Sequence, residues 1–144
     1  MAVPNRITLV TLGVADVARS SAFYEALGWT PSASSVTGEV AFFDTVGPAL
    51  SLYGLDNLAR DASSGPERSG FSGVTIAINV ESAEEVDRLH AEWLAAGGVS
   101  KSAPVATEWG GYIAFVADPD GHVWELAHNP HWPLNDDGSL TLPD

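Results

Sequence analysis

Three carboxylates and an imidazole, Asp118, Asp120, His122 and Glu125, fall within the run Phe-Val-Ala-Asp-Pro-Asp-Gly-His-Val-Trp-Glu-Leu at 115–126. Apolar segments flank Asp118-Pro119-Asp120-Gly121. Pro119 presets φ, Asp120 tolerates a turn and Gly121 accepts positive φ, so the four residues predict a hairpin turn. Glu125 then stands inside an otherwise apolar strand. A carboxylate there needs a partner, a ligand or an opening to water. It would serve as a general acid or base, as the counter-ion of a cationic ligand, or as a structural acid satisfied by hydroxyl or backbone donors. His122 and His128 lie an even number of residues apart, which puts both on the face opposite Glu125. His90 falls in a helical stretch and His131 in the tail. A His122–His128–His131 metal cluster weighs less than structural or interface roles for these imidazoles.

An internal repeat supplies the elements that must position these groups. Leu9-Val10-Thr11-Leu12-Gly13-Val14 precedes a helical stretch, as Thr75-Ile76-Ala77-Ile78-Asn79-Val80 does. Val40-Ala41-Phe42-Phe43 echoes Ile113-Ala114-Phe115-Val116, and Leu50-Ser51-Leu52 echoes Trp124-Glu125-Leu126. The offset is 66 residues early and 73 to 74 later. Module one, about 6–55, reads as a strand over 7–14, a helix over 16–27 and strands near 29–35, 38–44 and 49–54. Asp16 is its helix N-cap and Gly28 its stop. Val17, Phe23, Tyr24 and Leu27 supply the apolar face. A linker follows over about 56–71. Module two, about 72–128, reads as a strand over 73–80, a helix over 82–96 and strands near 99–106, 111–117 and 122–128. Ser82 with Glu85 forms a capping box, Val86, Leu89, Trp93 and Leu94 the buried stripe, and Gly97-Gly98 the stop. Each half is βαβββ, so the class is α+β. The tail, 129–144, is irregular or a short hairpin.

Composition excludes several partners. The 144 residues include 19 acids and 6 basic residues, a net charge of −13. Nucleic acid and anionic membrane surfaces both require clustered Lys and Arg, and the basic residues here are scattered. A cationic or neutral ligand suits this balance better than a polyanion. No apolar stretch is long enough to span a bilayer. Met1 to Arg6 lacks the features of a signal peptide, so the expected location is cytoplasmic. There is no Cys, hence no disulfide, thiolate ligand or thiol nucleophile. No P-loop, dinucleotide fingerprint or Ser-His-Asp arrangement is present.

The Asp118–Glu125 hairpin, together with Gly13-Val14-Ala15-Asp16, Ser20 and Phe23-Tyr24-Glu25-Ala26-Leu27-Gly28-Trp29, resembles the vicinal oxygen chelate superfamily. That superfamily includes glyoxalase I, bleomycin-resistance proteins and extradiol dioxygenases. The resemblance covers about residues 6–128 and implies two βαβββ modules forming a curved mixed sheet. It also implies a symmetric dimer. Metal-using members take one His or Glu from the first and last strand of each module. Matching the motifs puts these positions at Leu9, Ser51, Thr75 and Glu125. Only Glu125 is a good ligand. Leu9 has no donor atom, and neutral hydroxyls hold divalent transition metals weakly. The expectation is no metal and no cofactor.

Strand alternation places Leu9, Thr11, Ser51, Tyr53, Thr75, Ala77, Val123, Glu125 and Ala127 on the concave face, with Trp109-Gly110-Gly111-Tyr112 at its rim. Trp109 is suited to stack on a ligand. Trp29, Trp93 and Trp124 read as core. The expected function is metal-independent binding of a small neutral or cationic aromatic molecule, of the drug-sequestering type. Leu9, Thr11, Ser51, Tyr53, Thr75, Trp109, Tyr112 and Glu125 would line the site. The alternative is a glyoxalase-like lyase or isomerase with Glu125 as its catalytic acid or base, or with metal at an unrecognised site.

Overall fold

The computed structural model describes residues 2–144. The repeat folds as two sheets, one per module. In module one, β1 (Leu9–Val14) pairs in parallel with β3 (Ala49–Gly54), and β3 pairs antiparallel with β2 (Val40–Phe43), giving the order β1-β3-β2. In module two, β4 (Ile76–Asn79) pairs in parallel with β7 (Val123–His128), followed antiparallel by β6 (Tyr112–Ala117) and β5 (Val99–Ala106). Helix α1 (Val17–Ala26) crosses between β1 and β2, and α3 (Ala83–Ala95) between β4 and β5. The α+β class and the two-module repeat are as the sequence implies.

The helix ends follow local chemistry. Asp16 caps α1 by accepting from the Arg19 amide at 3.1 Å, and Ser82 caps α3 by accepting from the Glu85 amide at 3.2 Å. The capping box is only half made, because the Glu85 carboxylate turns to Arg88 at 2.6 Å rather than back to the cap. Gly28 and Gly97 end the helices at φ +97° and +108°, a region open to glycine without strain.

Alternation then divides each strand. Leu12, Val14, Ala41, Phe43, Leu50, Leu52, Ala114, Val116, Trp124 and Leu126 face the helices and form one core with Phe23, Tyr24, Val86 and Trp93. Each fully buried large side chain contributes about 1.5–3 kcal/mol. An aromatic cluster joins the halves: Phe23 meets Trp93 edge-on at 5.2 Å, and Trp29 meets Trp124 at 5.8 Å. Leu94 departs from the expected stripe and is 40% exposed, because Trp93, one position earlier, takes the inward direction.

Two expected segments are corrected. Residues 29–35 form no strand and contribute one isolated bridge, Pro31 to Phe43. Pro31 has no amide to donate, and Ser32 and Ser35 satisfy nearby amides of Ser34 and Phe42 with their hydroxyls. The start of the linker is instead a helix, α2 (Leu55–Asp61). Leu55 and Leu58 pack so closely on Gly13 that a β-carbon there would meet Leu55 at 2.7 Å. Among the described residues, no helix is long and apolar enough to cross a membrane.

Candidate functional site

The face of each sheet turned away from α1 and α3 carries the candidate residues, and α2 covers the Gly13 end of that face in module one. In module one, Thr11, Ser51 and Phe42 form a row across β1, β3 and β2. In module two, Ala77, Glu125 and Phe115 form the matching row across β4, β7 and β6. The residues correspond at offsets of 66, 74 and 73, so the register reproduces the repeat. Ser51 is only 2% exposed, tucked between Thr11 and Phe42. Glu125 is half-buried between the small Ala77 and the ring-bearing Phe115. No described residue hydrogen-bonds its carboxylate.

Leu9 and Thr75 sit two residues upstream of those rows. Leu9 opens β1 opposite Ala49 and is 43% exposed, and Thr75 is exposed just ahead of β4. Donor chemistry at Leu9, Ser51, Thr75 and Glu125 does not fit a transition metal: one carboxylate, two hydroxyls and a hydrocarbon. Among the described residues, no group of three or more His, Asp or Glu side chains is placed to hold an ion.

The histidines are each spent on a different partner. His122 Nε2–H donates to the Gly13 carbonyl at 2.8 Å, His128 Nδ1–H to Val80 at 3.1 Å and His131 Nε2–H to Trp109 at 3.2 Å. His90 Nε2 pairs with the Ser100 hydroxyl at 2.8 Å. His128, paired with Tyr112, lies on the face opposite Glu125, as alternation requires, whereas His122 precedes β7 and reaches across to module one.

Tyr53 is half-buried opposite Gly13 and Val40. It lines a cavity of about 480 Å³ with Asp16, Glu39 and Asn57, at the carboxyl ends of β1 and β3. The nearby Asp61 carboxylate raises the pKa of its phenol. This hollow went unforeseen because Gly38, Glu39 and Asn57 join it only through tertiary structure.

At the expected rim, the two aromatics part company. Trp109 tops the β5–β6 hairpin, 49% exposed, with its ring laid over Gly111 in the space a β-carbon would need. Tyr112 turns to the helix side, where its hydroxyl donates to Asp87 of α3 at 2.8 Å. It therefore stands apart from the Glu125 row.

A sequence profile for the glyoxalase/bleomycin resistance protein/dioxygenase superfamily matches residues 6–126. No curated protein matches the chain. Among solved structures, a glyoxalase-related enzyme from Fulvimarina pelagi is 35% identical, with 98% of this chain and 100% of that one covered and a TM-score of 0.87. A glyoxalase/bleomycin resistance protein/dioxygenase family enzyme from Burkholderia phytofirmans PsJN is 25% identical over 85% of this chain and 98% of its own, with a TM-score of 0.75. Lactoylglutathione lyase from Agrobacterium tumefaciens shares the fold at 21% identity and a TM-score of 0.68, covering 92% of this chain and 99% of its own.

Proposed function

The chain belongs to the glyoxalase/bleomycin resistance protein/dioxygenase superfamily, and from that premise we propose that it binds a small neutral or cationic aromatic molecule without a metal. The observation that carries this reading is the Ala77–Glu125–Phe115 row. It offers one carboxylate to which no described residue hydrogen-bonds, beside an aromatic ring, on an open sheet face. A protonated amine on an aromatic frame satisfies both groups at once. In module one, Thr11, Phe42 and Leu9 offer neutral surface around the buried Ser51, and Tyr53 lines a separate hollow with Asp16 and Glu39.

Reactions that polarise substrate oxygens on a metal need several strong ligands, and Leu9, Ser51 and Thr75 supply none. Glutathione's carboxylates would in addition want clustered basic partners, and the six basic residues of the chain are scattered. The relationship at 35% identity to a protein described as a glyoxalase-related enzyme favours a second reading: a lyase or isomerase in which Glu125 itself moves the proton.

A homodimer belongs to the same proposal. Among the described residues, strands β1 and β4 each pair with another strand on one side only. Ile7, Leu9, Phe71 and Val74, at or before their starts, are 72%, 43%, 65% and 62% exposed. An unpaired edge beside exposed apolar side chains is suited to a second copy. Native mass spectrometry of the purified protein tests the proposal. A dimer retaining or taking up a small aromatic amine, with no metal mass, is expected. A metal-loaded species that turns over a substrate would replace it with the enzyme reading.

A further inference from the structure

The hydrogen bonds that tie module one to module two through side chains converge on a single stretch, Asp118–Trp124. Asp118 Oδ2 accepts from the Tyr24 hydroxyl at 2.7 Å, and Trp124 Nε1–H donates to that same hydroxyl at 3.2 Å. Asp120 Oδ1 accepts from the Ala15 amide at 2.8 Å and from Arg19 at 3.2 Å. His122 Nε2–H donates to the Gly13 carbonyl at 2.8 Å. From the linker, Arg68 donates to the Asp120 carbonyl at 2.9 Å. No backbone–backbone bond among the described residues joins the modules.

The turn holds its own shape independently. Asp118 Oδ1 accepts from the Asp120 and His122 amides at 3.0 and 2.9 Å, and Gly121 takes φ +85°. The Asp120 carboxylate takes no part in that internal network. Its bonds all go to module one, and its second oxygen is buried without a partner.

The repeat provides an internal control. Asp44 and Gly47 stand where Asp118 and Gly121 stand, but Val46 replaces Asp120 and Pro48 replaces His122. Val46 is 63% exposed, and Thr45 bonds within its own turn to the Pro48 carbonyl at 2.6 Å. One repeat kept the turn alone, and the other carries the cross-module groups as well. A turn that merely reversed the chain would not need them.

We propose that Asp118–His122 is a latch that fixes the angle between the two modules. It sets how the Ser51 row stands relative to the Glu125 row, whether or not those rows bind a ligand. Asp120 and Tyr24 are its principal positioning residues.

The chain's lack of Cys makes a distance measurement direct. Spin labels on Asp56→Cys of α2 and Glu84→Cys of α3 report on one module each, and dilution with unlabelled protein removes signals between chains. The unaltered latch should give one narrow distance distribution. Asp120→Ala and Tyr24→Phe should broaden and shift it while circular dichroism stays native. Tyr112→Phe, which breaks a bond of similar type inside module two, should leave it unchanged. Tyr24→Phe keeps the buried ring, so a folded variant is available even where Asp120→Ala disrupts folding. A distribution unmoved by Tyr24→Phe, or moved equally by Tyr112→Phe, overturns the proposal.

Discussion

Ser51 and Glu125 occupy the same place in the two modules. Each is the third residue of a central strand, paired in parallel with a small residue of the module's first strand, Thr11 for Ser51 and Ala77 for Glu125. One position has become a buried hydroxyl and the other a half-buried acid. The asymmetry leaves a carboxylate in one module where the other has a hydroxyl, and so no symmetric ligand set for an ion.

Elemental analysis follows from that donor set. Protein purified without an affinity tag should carry no stoichiometric Zn, Ni, Fe or Mn. About one such ion per chain would mean a ligand set outside Leu9, Ser51, Thr75 and Glu125.

Tyr24 should contribute to the alkaline limb of the protein's stability. Burial first, and the neighbouring Asp118 charge second, push its phenol well above the ordinary 10.0. The raised value means that stability is fully present below pH 10 and falls as the unfolded chain ionises above it. Tyr24→Phe should lower stability at neutral pH by roughly 1.5–3 kcal/mol, since a charged acceptor loses its donor. It should also flatten the alkaline limb of a stability–pH curve measured by urea unfolding. An unchanged limb would place the titrating group elsewhere.

Gly98 should resist substitution. A β-carbon there would meet the Trp93 ring and the Ala117 carbonyl at 2.8 Å, and Trp93 Nε1–H donates to that same carbonyl at 2.8 Å. Gly98→Ala should cost about 1–3 kcal/mol by overpacking, read as a lower denaturant midpoint. Equal stability would show that the α3–β5 turn can shift to admit the methyl.

The exposed starts of β1 and β4 predict association. Sedimentation at micromolar concentration should find a dimer, and Leu9→Lys should weaken it by placing a charge at the edge. A monomer would remove the edge-to-edge reading.

The parts of the fold legible in the sequence are those with local or periodic causes. Gly28, Gly97 and Gly121 mark ends and a turn through φ, and the repeat offsets fix the shared register of Ser51 and Glu125. Helix α2 escaped because seven residues give too little periodicity, with Leu55, Leu58 and Ala59 its whole apolar face. The strand expected at 29–35 failed on Pro31 and the local hydroxyl bonds of its serines. At the site, alternation placed Thr11, Ser51 and Tyr53 on one face of the first sheet and Glu125 in the matching row of the second, which is a separate sheet rather than the one curved sheet expected. It could not show that Tyr112 would reach Asp87, nor that Asp120 would bond Ala15 across 105 residues. Contacts so distant in sequence leave no local trace, although the contrast of Asp120 with Val46 in the repeat was a readable signal.

Glu125→Gln tests the central claim most directly. The substitution preserves shape and most hydrogen-bonding capacity, so the fold should persist. Calorimetric titration of both proteins, with a hit from a screen of planar cationic aromatic compounds, should show binding weakened by roughly 1.5–3 kcal/mol, the worth of a hydrogen bond to a charged group. Unchanged affinity, with only the melting temperature altered, would make Glu125 a structural acid and contradict the account.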